Sequence, residues 1–156
     1  MAMMISTAAM MREFGVRLAG ALRPGDLVIL TGSLGAGKTT LVQGIAEGLG
    51  VRGPITSPTF VISRVHPSLC GGPPLVHVDA YRLGGLLEVD ELDLDASLAE
   101  SVTVVEWGEG LVEGLTEDRL EVEIIRDETG EERSLALTGV GPRWAVIPVE
   151  LGVGAE

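Results

Sequence analysis

Three short stretches of the chain are apolar at nearly every position: "LVILT" (27–31), "LVHVD" (75–79) and "SVTVVEW" (101–107). Continuous apolar runs of this length predict strands buried on both faces of a parallel sheet. Elsewhere the pattern has a helical period. "KTTLVQGIAEGLG" (38–50) places Leu41, Val42, Ile45 and Leu49 on one side, with Gly50 as a stop. The opening "MAMMISTAAMMREFGVRLAGAL" (1–22) reads as one amphipathic helix, capped by Ser6 or Thr7, with Met11, Phe14, Leu18 and Leu22 on a common face. "TFVISRV" (59–65) is β-branched and predicts a strand, "HPSLCGGPP" (66–74) a loop, and the acidic "LLEVDELDLDASLAE" (86–100) one or two short helices. Further on the period becomes two. "RLEVEII" (119–125) and "RSLALT" (133–138) alternate around the turn "DETGEE" (127–132), which predicts a hairpin. The order of elements gives an α/β chain: a three-layer α/β/α domain on a mostly parallel sheet, closed by a C-terminal antiparallel hairpin. Residues 1–144 form a single domain on this reading, and 145–156 a frayed tail.

Composition narrows the class. The chain has 156 residues, 46% of them hydrophobic but only 3% aromatic, so Leu, Val, Ile and Ala must fill the core. No apolar run approaches the ~18 residues of a membrane span, and no membrane association is expected. The N-terminal stretch lacks a preceding basic region and is interrupted by Arg12 and Glu13, unlike a signal peptide. Cys70 is the single cysteine and cannot form an internal disulfide, which points to the cytoplasm. The net charge of −12, with scattered arginines, argues against a direct grip on nucleic acid; a link to RNA would run through a partner. His66, His77 and Cys70 do not make a zinc site. His77 alternates with Val76 and Val78 and reads as a core histidine.

Against this background one segment carries chemistry. "TGSLGAGKTT" (31–40) satisfies G-x-x-x-x-G-K-[ST] through Gly32, Gly37, Lys38 and Thr39, between an apolar strand and a helix. The glycines let successive N–H groups of Gly32, Ser33, Leu34, Gly35, Ala36 and Gly37 turn toward phosphate oxygens. The opening of the helix at Lys38, Thr39 and Thr40 adds its positive end. Lys38 is suited to the β- and γ-phosphates and the Thr39 hydroxyl to Mg²⁺. Lys38 is the only lysine among 11 basic residues, as suits a position needing a compact point charge. The guanine-reading segment Asn-Lys-x-Asp needs a second lysine, so ATP is the expected nucleotide. The fold is therefore expected to be of the P-loop NTPase type.

Ligands of doubly wound sheets sit beyond the carboxyl ends of the parallel strands. Asp79 and Glu106 end two of those strands. One is expected to hold Mg²⁺, directly or through water, and the other to order an attacking water; the residues do not say which is which. "TSPTF" (56–60), with Ser57, Pro58, Thr59 and Phe60, lies where a γ-phosphate-sensing loop is found. Tyr81 and Trp107 flank the acidic strand ends.

The ordered set "GSLGAGKTT" (32–40), "SPTF" (57–60), "HVDAYRL" (77–83) and "VEWGEG" (105–110) resembles the TsaE family, also called YjeE, over about residues 7–138. The resemblance implies a small P-loop ATPase, slow without partners, that holds ATP and Mg²⁺ and works with TsaD-like and TsaB-like proteins in threonylcarbamoylation of adenosine 37 of tRNA. It implies contact with tRNA only through that complex. It assigns phosphate and metal roles to Lys38 and Thr39, acidic roles to Asp79 and Glu106, and switch or partner roles to Ser57, Pro58, Thr59, Phe60, Tyr81, Arg82 and Trp107. Ser33 departs from the family, which usually carries Asp or Glu there.

Two other functions share these residues: a small-molecule P-loop kinase, and a binding module gated by nucleotide. A kinase closes a lid with arginines over the phosphates. The stretch 86–100 is acidic and contains no arginine, which disfavours the kinase.

Overall fold

A computed structural model describes residues 2–32, 37–51, 63–79, 100–106, 118–126 and 133–144. Seven strands and two helices are built from them: β1 (Ala2–Ile5), α1 (Ala8–Ala19), β2 (Leu27–Gly32), α2 (Lys38–Leu49), β3 (Ser63–His66), β4 (Leu75–Asp79), β5 (Val102–Glu106), β6 (Arg119–Arg126) and β7 (Arg133–Val140). A single 3₁₀ turn, Pro142–Trp144, follows. All seven strands join one sheet in the order β1-β7-β6-β2-β5-β4-β3. The four at its centre, β6, β2, β5 and β4, run parallel. The outer three are antiparallel to their neighbours. The expected α/β class, a mostly parallel sheet with a C-terminal antiparallel hairpin, is what the chain adopts; the antiparallel pairing of the edge strands β1 and β3 was not expected.

The apolar runs fall where continuous burial demands. Leu27, Val28, Ile29 and Leu30 are all buried, and so is every residue of β5. In β6 only the alternate residues Leu120, Val122 and Ile124 are buried. Register puts those three level with Val28, Leu30 and Gly32, on the face covered by both helices. The expected hairpin of β6 and β7 forms. It is not merely a closing flap, because β6 also lies parallel beside β2 at the centre of the sheet.

The helix layer depends on glycine. A Cβ on Gly44 would stand 2.1 Å from the carbonyl oxygen of Arg12, and one on Gly15 would stand 2.5 Å from that of Leu41. The two helices therefore touch backbone to backbone. Met11, Phe14 and Leu18 of α1 and Leu41, Val42 and Ile45 of α2 then enter the same core. Thr7 caps α1, its hydroxyl accepting the Met10 N–H at 3.1 Å.

The helix expected after a cap at Ser6 or Thr7 forms as Ala8–Ala19 with Thr7 as its cap. The residues before the cap hold a strand that was not expected: Ala2–Ile5 is an edge strand paired with β7, Ala2 opposite Ala136 and Ile5 opposite Arg133. Four residues are too few to show a period. The open side of β7 recruits the segment instead. The strand expected at 59–65 is described only from Ser63 and runs to His66. The expected turn at 127–132, the tail at 145–156 and all but the last residue of the helices expected at 86–100 lie outside the described residues.

The sheet face away from α1 and α2 is dry along its parallel half. Ile29, Val76, Val78, Thr103 and Val105 are buried there without belonging to the helix-side core. The segments expected to build a third layer lie outside the described residues.

Candidate functional site

The site begins where β2 stops being a strand. Gly32 has φ +153° and Gly37 has φ +114°, values that a side chain at Cβ disfavours. Both ends of the glycine turn thus require glycine. Gly37 sits at the cap position of α2, which has no side-chain capping hydrogen bond. Lys38 opens the helix and is only 6% exposed. Its Nζ donates to the Gly32 carbonyl oxygen at 2.7 Å, which draws the two ends of the turn together. The structure thus holds the ammonium against the Gly32 carbonyl and away from bulk water. Thr39 and Thr40 follow in the first helical turn, half-buried. Met11 of α1 supports the turn from beneath: its Cε lies 3.2 Å from where a Gly37 Cβ would be.

The acidic residues share this edge. Glu106 pairs in register with Leu30 of β2 on one side and with Asp79 of β4 on the other. Adjacent strands lie about 4.8 Å apart. Asp79 and Glu106 are thus neighbours at the carboxyl ends of parallel strands, Glu106 on the strand beside β2 and Asp79 one strand further out. Glu106 is 4% exposed. Its Oε2 lies 2.5 Å from Nε2 of His77, which is 0% exposed.

That contact was not legible in the residue pattern, which makes His77 a core histidine. The signal lay in the spacing His-x-Asp on β4. Register sets His77 opposite Val104, two residues before Glu106 and on the same face, so its ring reaches diagonally across to Glu106.

The structure brings Gly32, Gly37, Lys38, Thr39, Thr40, Asp79 and Glu106 to one edge of the sheet. Ser33, Leu34, Gly35, Ala36, Ser57, Pro58, Thr59, Phe60, Tyr81, Arg82 and Trp107 lie outside the described residues.

The residues present fit a phosphate group. Two positive-φ glycines frame an uncapped helix N-terminus, and a buried ammonium stands between them. The fold and this edge define a mixed α/β protein with a strand–glycine turn–helix unit beside two strand-end carboxylates. Comparison with known proteins gives the family. The family described as threonylcarbamoyl adenosine biosynthesis protein TsaE matches residues 5–135. The chain belongs to the TsaE family. It is 65% identical over 148 residues to the tRNA threonylcarbamoyladenosine biosynthesis protein TsaE of Streptomyces coelicolor, covering 92% of this chain and 100% of that one. It is 39% identical to the protein of the same name from Bacillus subtilis over 130 residues, 83% of this chain and 79% of that one. The crystal structure of Bacillus subtilis YdiB superposes with a TM-score of 0.76 at 32% identity, covering 100% of this chain and 96% of that one.

Among the described residues, no helix is long and apolar enough to cross a membrane.

Proposed function

We propose that this chain is a magnesium-dependent ATPase that acts with a TsaD-like and TsaB-like pair in threonylcarbamoylation of adenosine 37 of tRNA. The observation that carries the reading is the buried Lys38 ammonium held at the glycine turn, with Glu106 ending the neighbouring strand at the same edge. In this reading the Gly32–Gly37 turn and the first amides of α2 bind the phosphates. Lys38 exchanges its bond to Gly32 for one to the β- and γ-phosphates. Thr39 and one strand-end carboxylate, Asp79 in this reading, would hold Mg²⁺, which would supply charge neutralisation to the phosphates. Glu106 orients the attacking water and Asp79 serves the metal. Loss of the backbone amides' positive field or of the ammonium removes charge stabilisation; loss of Glu106 removes orientation. ATP is favoured over GTP because the chain has no second lysine for a guanine-reading segment.

The acidic surface supports action on a tRNA-modifying assembly through protein contact, since a net charge of −12 repels the phosphate backbone. The cytoplasm is the compartment this role requires.

The test is ATP hydrolysis by the purified chain, alone and with the cognate pair. Slow turnover that rises on adding the pair is expected. An unchanged rate, with ATP bound, would remove the partner assignment and leave a nucleotide-gated module. Glu106→Gln keeps an acceptor for His77 and is expected to bind MgATP but turn over slowly; wild-type turnover would make Glu106 structural.

A further inference from the structure

We infer that His77 is a positioning residue for Glu106: it fixes one carboxylate oxygen so that the other faces the phosphate edge. This inference rests on the reading of Glu106 as the group that orients the attacking water.

The geometry is specific. His77 Nε2 meets Glu106 Oε2 at 2.5 Å, with both side chains buried. The ring's other nitrogen, Nδ1, is buried and has no hydrogen-bond partner among the described residues. A ring N–H at Nδ1 would therefore be unsatisfied, whereas at Nε2 it has a carboxylate acceptor. The hydrogen-bond pattern assigns the proton to Nε2, so the imidazole donates and Glu106 accepts. A histidine serving only to fill the core has no need of this bond: isosteric apolar residues fill space without an unsatisfied nitrogen. Here one polar atom is left without a partner while the other anchors the carboxylate at the strand end.

The anchor removes a freedom that matters. A glutamate has three side-chain torsions, and at the last residue of β5 nothing else described ties its Oε2. His77 approaches from β4, where residue 77 is opposite Val104 and residue 79 is opposite Glu106. It therefore holds the carboxylate from behind, relative to the strand ends. Misplacing a catalytic group by an ångström can cost about 100-fold in rate.

The test uses reach rather than polarity. In His77→Gln the amide nitrogen stands near the place of Nε2; in His77→Asn it stands near the place of Nδ1 and falls short of Glu106. Steady-state ATP hydrolysis (kcat and KM) and MgATP affinity are measured for both, with melting temperature as a check on folding. His77→Asn is expected to lower kcat by about 10–100-fold with KM unchanged. His77→Gln should recover most of the rate. Equal rates for the two variants, or a loss confined to KM, would overturn the inference. Glu106→Gln is run alongside. If it hydrolyses ATP at the wild-type rate, the assignment of Glu106 is what has failed. If it is slow while His77→Asn is fast, only the positioning role falls.

Discussion

Ile29 and Ile125 are the same residue type on the same face of one sheet, and their surroundings are opposite. Register sets Ile29 opposite Glu121, and Ile125 four residues further along β6 on the same side. Ile29 is 1% exposed and Ile125 48%. The parallel half, β2-β5-β4, is buried on both faces. In the antiparallel half, β6-β7-β1, the helix side is buried, while Met4 and Ile125 meet water on the other. The candidate site lies at the edge of the half that is buried twice. A carboxylate or an ammonium is held in a fixed geometry only if the strand beneath it cannot shift, and packing on both faces supplies that rigidity. The antiparallel half widens the sheet and extends the core under α1 and α2. Among the described residues, none of the candidate site comes from it.

The sharpest way to break this comparison is to truncate the two isoleucines. Ile29→Ala should cost about 3–4 kcal/mol in urea unfolding, the loss typical of a fully buried isoleucine. A cost comparable to that of an exposed residue would mean that the second face of the parallel half is loosely packed. Next in size is the site itself. Lys38→Ala should weaken MgATP binding about 100-fold, which corresponds to about 2.7 kcal/mol, with melting temperature little changed; undiminished affinity by calorimetry would remove the phosphate cradle from that edge. Thr7 joins the antiparallel edge strand to α1. Thr7→Ala should destabilise the chain by about 1 kcal/mol through loss of the Met10 N–H acceptor, and an effect too small to measure would show that packing, not the cap, starts the helix. Ile125→Ala closes the series at under about 0.5 kcal/mol, as for other exposed positions. A cost near that of Ile29→Ala would show that the open face is covered in solution.

Much of this arrangement was legible in the residues. "LVHVD" corresponds residue for residue to β4, and "KTTLVQGIAEGL" to α2, because a doubly buried strand and a helix ended by glycine each leave a strong local pattern. Glu106 and Asp79 were legible because both close such strands. β1 was not, since four residues carry no period and the strand exists only where β7 offers a partner. His77 was read as core because alternation reports burial and says nothing of what a buried polar atom meets.

The sequence by itself determined the elements other than β1, the glycine turn with its lone lysine, and the strand ends that carry acid. These are local matters: period, φ preference, and charge at fixed spacing. The tertiary structure decided which strands are neighbours, and with that the register that sets Asp79 against Glu106 and lets His77 reach Glu106 on the adjacent strand. It also decided that one isoleucine is dry and its counterpart wet. Strand order and register are long-range properties, fixed by how whole faces pack against the helix layer, and no window of neighbouring residues contains them.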